Sequence, residues 1–153
     1  MFHYLAGMCD LMLTYGAEHS ELYGYTDADS TLQKHRCAIS GYVFLIDRGA
    51  ILWSSYKQEL VTLSTVEAEY VAAIHAAKEC IWLWHLIGKL FPLLITITTL
   101  HCDNQVVLML ATQDNYHVQT KHINIYYHFI CKVITSNVIN MVYYPTNNMT
   151  ANI

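Results

Sequence analysis

Charge is scarce in this 153-residue chain: only 13% of its residues are Asp, Glu, Lys or Arg. Eight are Lys or Arg, scattered along the chain against twelve acidic residues, for a formal net charge of −4. Affinity for nucleic acid comes mainly from neutralising phosphates. The chain alone is therefore expected to bind nucleic acid weakly, unless bound cations supply local positive charge. A C-x-x-C pair is also lacking. The five cysteines (Cys9, Cys37, Cys80, Cys102 and Cys131) are odd in number and widely spaced. That argues against a disulfide framework and for reduced thiols in an intracellular setting. His117, His122 and His128 do not make a tight ligand pattern, and they read as ordinary histidines rather than a zinc site. The most apolar stretch, Cys80 to Cys102, is interrupted by His85, Lys89 and Pro92, well short of the ~20 residues a membrane span needs. It reads as a buried helix end, a turn and a buried strand. Met1-Phe2-His3-Tyr4 lacks the charged start and clean apolar run of a signal peptide. There are no repeats and no low-complexity segments. The expectation is a chain that is neither secreted nor membrane-spanning and that works in the cytoplasm or nucleus.

What is plentiful is apolar side chain, 54% of residues. A chain of this length buries a real core as one domain. It is nevertheless apolar for a free-standing monomer, so a partner surface is expected. Residues 1–20, broken by Gly7, Gly16 and Glu18-His19-Ser20, read as a lead-in: the tail of something preceding, or a short strand. The domain proper is expected over 21–153. Its first strand is Leu22 to Asp27. Its second, Ile39 to Ile46, is rich in β-branched and aromatic residues. Asp47-Arg48-Gly49-Ala50 is a turn, and Ile51 to Ser55 a third strand, making an antiparallel hairpin. Ser64 and Glu67 form an S-x-x-E capping box that opens a long helix. Ala72, Ala73, Ala76, Cys80, Leu83 and Ile87 give that helix one apolar face, and it ends before Phe91-Pro92. A fourth strand covers Ile95 to Cys102. Helices follow over Asp103–Thr112 and Thr120–Thr135; Asn137 breaks the second. A fifth strand runs from Val138 to Tyr144, and Pro145 ends it. The order β-β-β-α-β-α-α-β predicts an α/β domain with a mixed five-stranded sheet flanked by helices.

Three acidic residues fall at element ends within this pattern. Asp27 closes the first strand, Glu69 lies near the start of the long helix, and Asp103 stands between a strand and a helix. Carboxylates converging on one sheet edge suit divalent cations, which want hard oxygen ligands. On spacing alone, the simpler reading is favoured: Asp103 as a helix N-cap and Asp27 as a turn residue. Glu67 is accounted for by the capping box, whereas Glu69 has no such structural explanation. Trp53, Trp82 and Trp84 read as core or buried-interface residues rather than base-stacking platforms.

Longer matches decide among these readings. Gly24-Tyr25-Thr26-Asp27-Ala28-Asp29, Ile39-Ser40-Gly41-Tyr42-Val43-Phe44 and Trp53-Ser54-Ser55-Tyr56-Lys57-Gln58 are followed by Leu63-Ser64-Thr65-Val66-Glu67-Ala68-Glu69-Tyr70. Cys102-Asp103-Asn104-Gln105, Thr120-Lys121-His122-Ile123, Tyr127-His128-Phe129-Ile130 and Tyr144-Pro145-Thr146 continue the series. In this order and spacing the chain resembles the ribonuclease H domain of copia-type (LTR) retrotransposon Pol polyproteins, from about residue 21 onward. Residues 1–20, with Tyr4-Leu5-Ala6-Gly7, resemble the end of the preceding reverse transcriptase region.

The resemblance implies a ribonuclease H-like fold and two-metal hydrolysis of the RNA strand in RNA–DNA hybrids. Two Mg2+ ions are implied as cofactors, with Mn2+ a substitute. The family's four carboxylates fall at Asp27, Glu69, Asp103 and Asn152, so the catalytic set is expected there and the metal ligands at Asp27, Glu69 and Asp103. Asn104, Gln105, Lys121 and His122 are carried over as substrate-binding positions. Each of these four also has a bland reading, as polar helix-start or exposed loop residues. The implied partners are the hybrid and the reverse transcriptase and integrase regions of the parent polyprotein, with no membrane. The chain departs from the family at Asn152, where the aspartate of an Ala-Asp pair is lost. It also departs at Asn147 or Asn148, Asn124, Tyr126 and Ser30, and the last helix is expected to be truncated. Impaired activity is therefore expected. The alternative is a catalytically silent remnant retaining only the fold or weak hybrid binding.

Overall fold

Asp47 and Arg48 both adopt left-handed backbone, φ 52° and 66°, and reverse the chain between two strands. A two-residue turn with both φ values positive matches the right-handed twist of a hairpin. The paired strands are β2 (Ile39–Ile46) and β3 (Gly49–Lys57), with Ile46 opposite Gly49. Gly49, expected in the turn, is thus the first residue of β3. It lies under the ring of Tyr15, whose hydroxyl donates to the Ala50 carbonyl at 2.7 Å. The computed structural model describes residues 2–16, 21–29, 37–59, 61–62, 64–92, 96–112 and 121–149, without the side chains of Tyr4, Leu5, Thr112, residues 121–126 and Asn148.

β1 (Tyr23–Asp29) pairs antiparallel with β2 on one side and parallel with β4 (Thr98–Cys102) on the other. β5 (Ile139–Tyr143) then pairs parallel with β4, giving the order β3-β2-β1-β4-β5. The helices are α1 (Phe2–Ala6), α2 (Thr65–Leu90), α3 (Gln105–Thr112) and α4 (Lys121–Thr135). A single 3₁₀ turn, Thr146–Asn148, follows β5. The mixed five-stranded sheet and the element order expected of the domain are present. The lead-in carries a short helix rather than a strand. β1 and β3 extend two residues beyond their expected ends, at Asp29 and Lys57, and β4 is shorter, starting at Thr98.

α2 starts where its cap is. The Ser64 hydroxyl accepts from the Glu67 N–H at 3.1 Å, satisfying one of the helix's orphan donors. Its inner face is lined by Ala68, Ala72, Ala73, Ala76 and Ala77, all buried. Small side chains let the helix lie close on the sheet, against Phe44, Leu100 and Cys102. Each fully buried large apolar side chain, such as Phe44, Ile74, Leu100 or Ile130, contributes roughly 1.5–3 kcal/mol. α4 ends at Asn137, whose φ of 56° is a left-handed stop. Two of the tryptophans do not take the core placement that was one of their two expected ones. Trp53 is 64% exposed on the edge strand and Trp82 is 55% exposed on the outer face of α2, so neither is core. Both stand on element faces that the apolar cluster does not reach. No helix among the described residues is long and apolar enough to cross a membrane.

Side chains on successive strand residues point to opposite faces. Gly24, opposite Phe44, faces the helices; Tyr25, opposite Val43, faces away. A second, smaller cluster of Tyr25, Val43, Leu45 and Met149 covers that other face. Gly24 is where Phe44 sits: a Cβ there would lie 2.6 Å from the Phe44 ring and 3.3 Å from Leu100. Phe44 is fully buried and cannot swing out. Gly24→Ala is expected to cost about 1–3 kcal/mol by overpacking, read as a lowered denaturation midpoint. An unchanged midpoint would mean that the core yields more than close packing allows.

Candidate active site

Thr26 pairs with Cys102 across the parallel β1–β4 ladder. The next residue along each strand is an aspartate, so one register carries Asp27 and Asp103 to the same level of the sheet. α2 crosses that end, and Glu69, its fifth residue, lies just beyond the helix's first turn. One carboxylate oxygen from each of Asp27, Glu69 and Asp103 lies within 4.8 Å of the other two. Glu67 is not in this cluster; its N–H serves the cap.

The site is half withdrawn from water. Asp27 is buried, and Glu69 and Asp103 are half-buried. Burial is the largest influence on Glu69, and the charges of Asp27 and then Asp103 add to it. Together they push its carboxyl from the usual 4.5 up to about 8, against a smaller opposing pull from the Ala28 N–H. That N–H also donates to Asp27 Oδ1 at 2.9 Å. Glu69 Oε2 is buried with no hydrogen-bond partner among the described residues. A buried acceptor without a donor is costly. Three converging carboxylates, one of them carrying an unpartnered buried oxygen, offer hard donors that fit a divalent cation. Burial pushes the nearby Cys102 thiol up to about 12, and its sulfur is not among the grouped ligand atoms.

The neighbours of Asp103 differ from the sequence expectation. Asn104, not Asp103, is the N-cap of α3. Its Oδ1 accepts from the N–H groups of Val106 at 3.0 Å and Val107 at 3.3 Å. The helix therefore begins two residues later than expected, at Gln105. This leaves the Asp103 carboxylate clear of helix capping. The Asn104 side-chain oxygen has a structural task, and Gln105 is exposed at the helix start. The side chains of Lys121 and His122 lie outside the described residues, as does Asn152.

Two supporting residues went unassigned in the sequence. Gln58 is buried, and its Nε2 donates to Ser40 Oγ at 2.7 Å and to the Ala68 carbonyl at 2.9 Å. It ties the end of β3 to the residue before Glu69. Thr146 Oγ1 donates to Asp103 Oδ2 at 2.7 Å. Both belong to stretches that carried the resemblance, but nothing in their spacing told what they touch.

The sheet order and helix placement define a ribonuclease H-like domain. Solved structures agree on the fold. LC11-RNase H1 in complex with an RNA/DNA hybrid superposes with a TM-score of 0.61 at 18% identity, over 85% of this chain and 89% of that one. Prototype foamy virus protease-reverse transcriptase gives 0.57 at 16% identity, over 92% of this chain and 20% of that one. No family model matches the sequence. The chain's homologues are the retrovirus-related Pol polyproteins of plant transposons. The polyprotein from transposon TNT 1-94 of Nicotiana tabacum is 36% identical over 152 residues, 99% of this chain and 11% of that protein. The polyprotein from transposon RE1 of Arabidopsis thaliana is 32% identical over 131 residues, 85% of this chain and 9% of that protein. The chain thus spans about a tenth of the length of these relatives.

Proposed function

We propose that the chain is the ribonuclease H region of a copia-type Pol polyprotein, hydrolysing the RNA strand of RNA–DNA hybrids with divalent cations. The observation that carries this reading is the meeting of the Asp27, Glu69 and Asp103 carboxylates within 4.8 Å of one another. These three residues would hold the cations, Mg2+ or Mn2+. Bound there, a pair of such ions stabilises the attacking and leaving oxygens of a phosphodiester. The protein's part is placement. The β1–β4 register sets the two aspartates side by side, and Gln58 fixes the helix turn that presents Glu69. Bound cations would offset both the acidic site and the hybrid's phosphates, which a chain of net charge −4 cannot do alone. Beside Gln58, a cavity of about 280 Å³ carries Lys57 and Lys78 together with the acidic Glu59.

Activity of this particular chain is low in the same reading. Asn152, at the family's fourth carboxylate position, brings an amide oxygen without charge, and the second ion loses an anionic ligand. The hybrid and the adjoining reverse transcriptase and integrase regions are the proposed partners. The free thiols fit a reducing compartment, so cytoplasm or nucleus is the proposed place of action.

The test is release of labelled RNA from a hybrid, with single-stranded and double-stranded DNA as controls. Slow cleavage is expected in Mg2+ or Mn2+, none in chelator, and none from Asp103→Ala in either metal. Cleavage that persists in Asp103→Ala, or hybrid binding that is tight in chelator at physiological salt, would contradict the assignment.

A further inference from the structure

We propose that Thr146 is a positioning residue for the metal site, acting through Asp103; this rests on the metal-binding reading above. A carboxylate at the head of a helix has torsional freedom, and Asp103 is not restrained by capping, because Asn104 does that work. The restraint comes from the far end of the chain. Thr146 Oγ1 donates to Asp103 Oδ2 at 2.7 Å, a contact between residues 43 apart. A carboxylate is planar, so a donor fixed on one oxygen also fixes where the other stands. The hydroxyl occupies one lone pair of Oδ2 and leaves the rest of the group able to bind a cation.

Thr146 is itself exposed, and a lone surface hydroxyl would wander. Here it is anchored on both sides. Upstream, the Tyr144 N–H donates to the Cys102 carbonyl at 2.9 Å, one residue before Asp103, prolonging the β4–β5 ladder. The Tyr144 ring packs 4.9 Å from His101 and 5.4 Å from Tyr25, centre to centre. Pro145 then fixes the backbone entering the 3₁₀ turn. Downstream, the Met149 N–H closes that turn on the Thr146 carbonyl at 3.1 Å, and the Met149 side chain is buried in the cluster on the open face of the sheet. The strut runs from the back of the sheet to the carboxylate. Partners that orient a metal ligand typically matter by about 10–100-fold in metal affinity.

The experiment is Mn2+ binding to the full chain, followed by the electron paramagnetic resonance signal of the free ion, with hybrid cleavage as a second readout. Thr146→Val keeps the shape and removes the donor; it is expected to weaken Mn2+ binding by about tenfold. Thr146→Ser restores the donor and is expected to bind Mn2+ within about twofold of the unaltered chain, well inside that range. Circular dichroism of each variant checks the fold. Asp103→Asn separates the two claims. If Asp103→Asn abolishes Mn2+ binding while folded Thr146→Val binds normally, the positioning role is overturned and the metal site stands. If Asp103→Asn leaves binding intact, the metal site itself is overturned. Equal weakening in Thr146→Val and Thr146→Ser also overturns the positioning role, because the hydroxyl would not be what matters.

Discussion

Asn152→Asp is expected to raise Mg2+-dependent cleavage of a labelled hybrid about a hundredfold, equivalent to about 3 kcal/mol of transition-state stabilisation. The gain comes from returning an anionic oxygen to the fourth ligand position. Magnesium demands near-octahedral oxygen ligation and sheds water reluctantly, so under the proposed two-ion reading a missing charged ligand would weaken one of the two sites. The increase should be steepest at low Mg2+ and smaller in Mn2+, which tolerates poorer geometry. The double variant Asn152→Asp with Asp103→Ala should return to background. Single-turnover rates across a metal titration provide the measurement. If Asn152→Asp changes nothing while Asp103→Ala removes what activity there is, residue 152 is not the fourth ligand.

The second large effect is on stability. The folded protein holds Glu69 near pKa 8, above its ordinary 4.5, chiefly through burial and then through Asp27 and Asp103. The fold therefore favours the protonated group. Its contribution is fully present below about pH 4.5, declines as pH rises, and is gone once pH passes about 8. In chelator, the unaltered chain should melt several degrees lower at high pH than Glu69→Gln does, and the two should converge in acid. The comparison with Glu69→Gln removes the contribution of other titrating groups. Because the three carboxylates interact, the curve belongs to the cluster rather than to one residue. Added Mg2+ binds the ionised cluster and should raise the melting temperature of the unaltered chain at about pH 8 far more than at about pH 5. A melting difference that is flat with pH would show Glu69 to be ordinarily solvated and the cluster open.

Much of this arrangement was legible in the sequence because local chemistry and global fold agree. Ser64 announces α2, Asn137 ends α4, and Ile39–Ile46 reads as β2 without any neighbour in view. The candidate site was legible for a different reason: whole stretches around Asp27, Glu69 and Asp103 resembled one family. What was not legible lies in the third dimension. Asp103 and Asn104 are both good caps, and only the backbone path at the end of β4 decides that Asn104 takes the role. Gln58 and Thr146 act on partners far along the chain, which no spacing rule reaches. That Trp53 and Trp82 are not core was not legible, because bulk and apolarity say nothing about which face of an edge strand or long helix is covered.

The three carboxylates come from three separate stretches of chain, and the two aspartates become neighbours only through the parallel β1–β4 pairing. Parallel pairing needs a long crossover, here the whole of β2, β3 and α2, so it is expected to form later than the β2–β3 hairpin. A partly folded or nascent chain can own the hairpin and the helix without owning the site. Cation uptake by this domain should then coincide with completion of folding rather than precede it. During synthesis, a ribosome-bound intermediate lacking β4 would then hold Asp27 and Glu69 without the third carboxylate of the cluster.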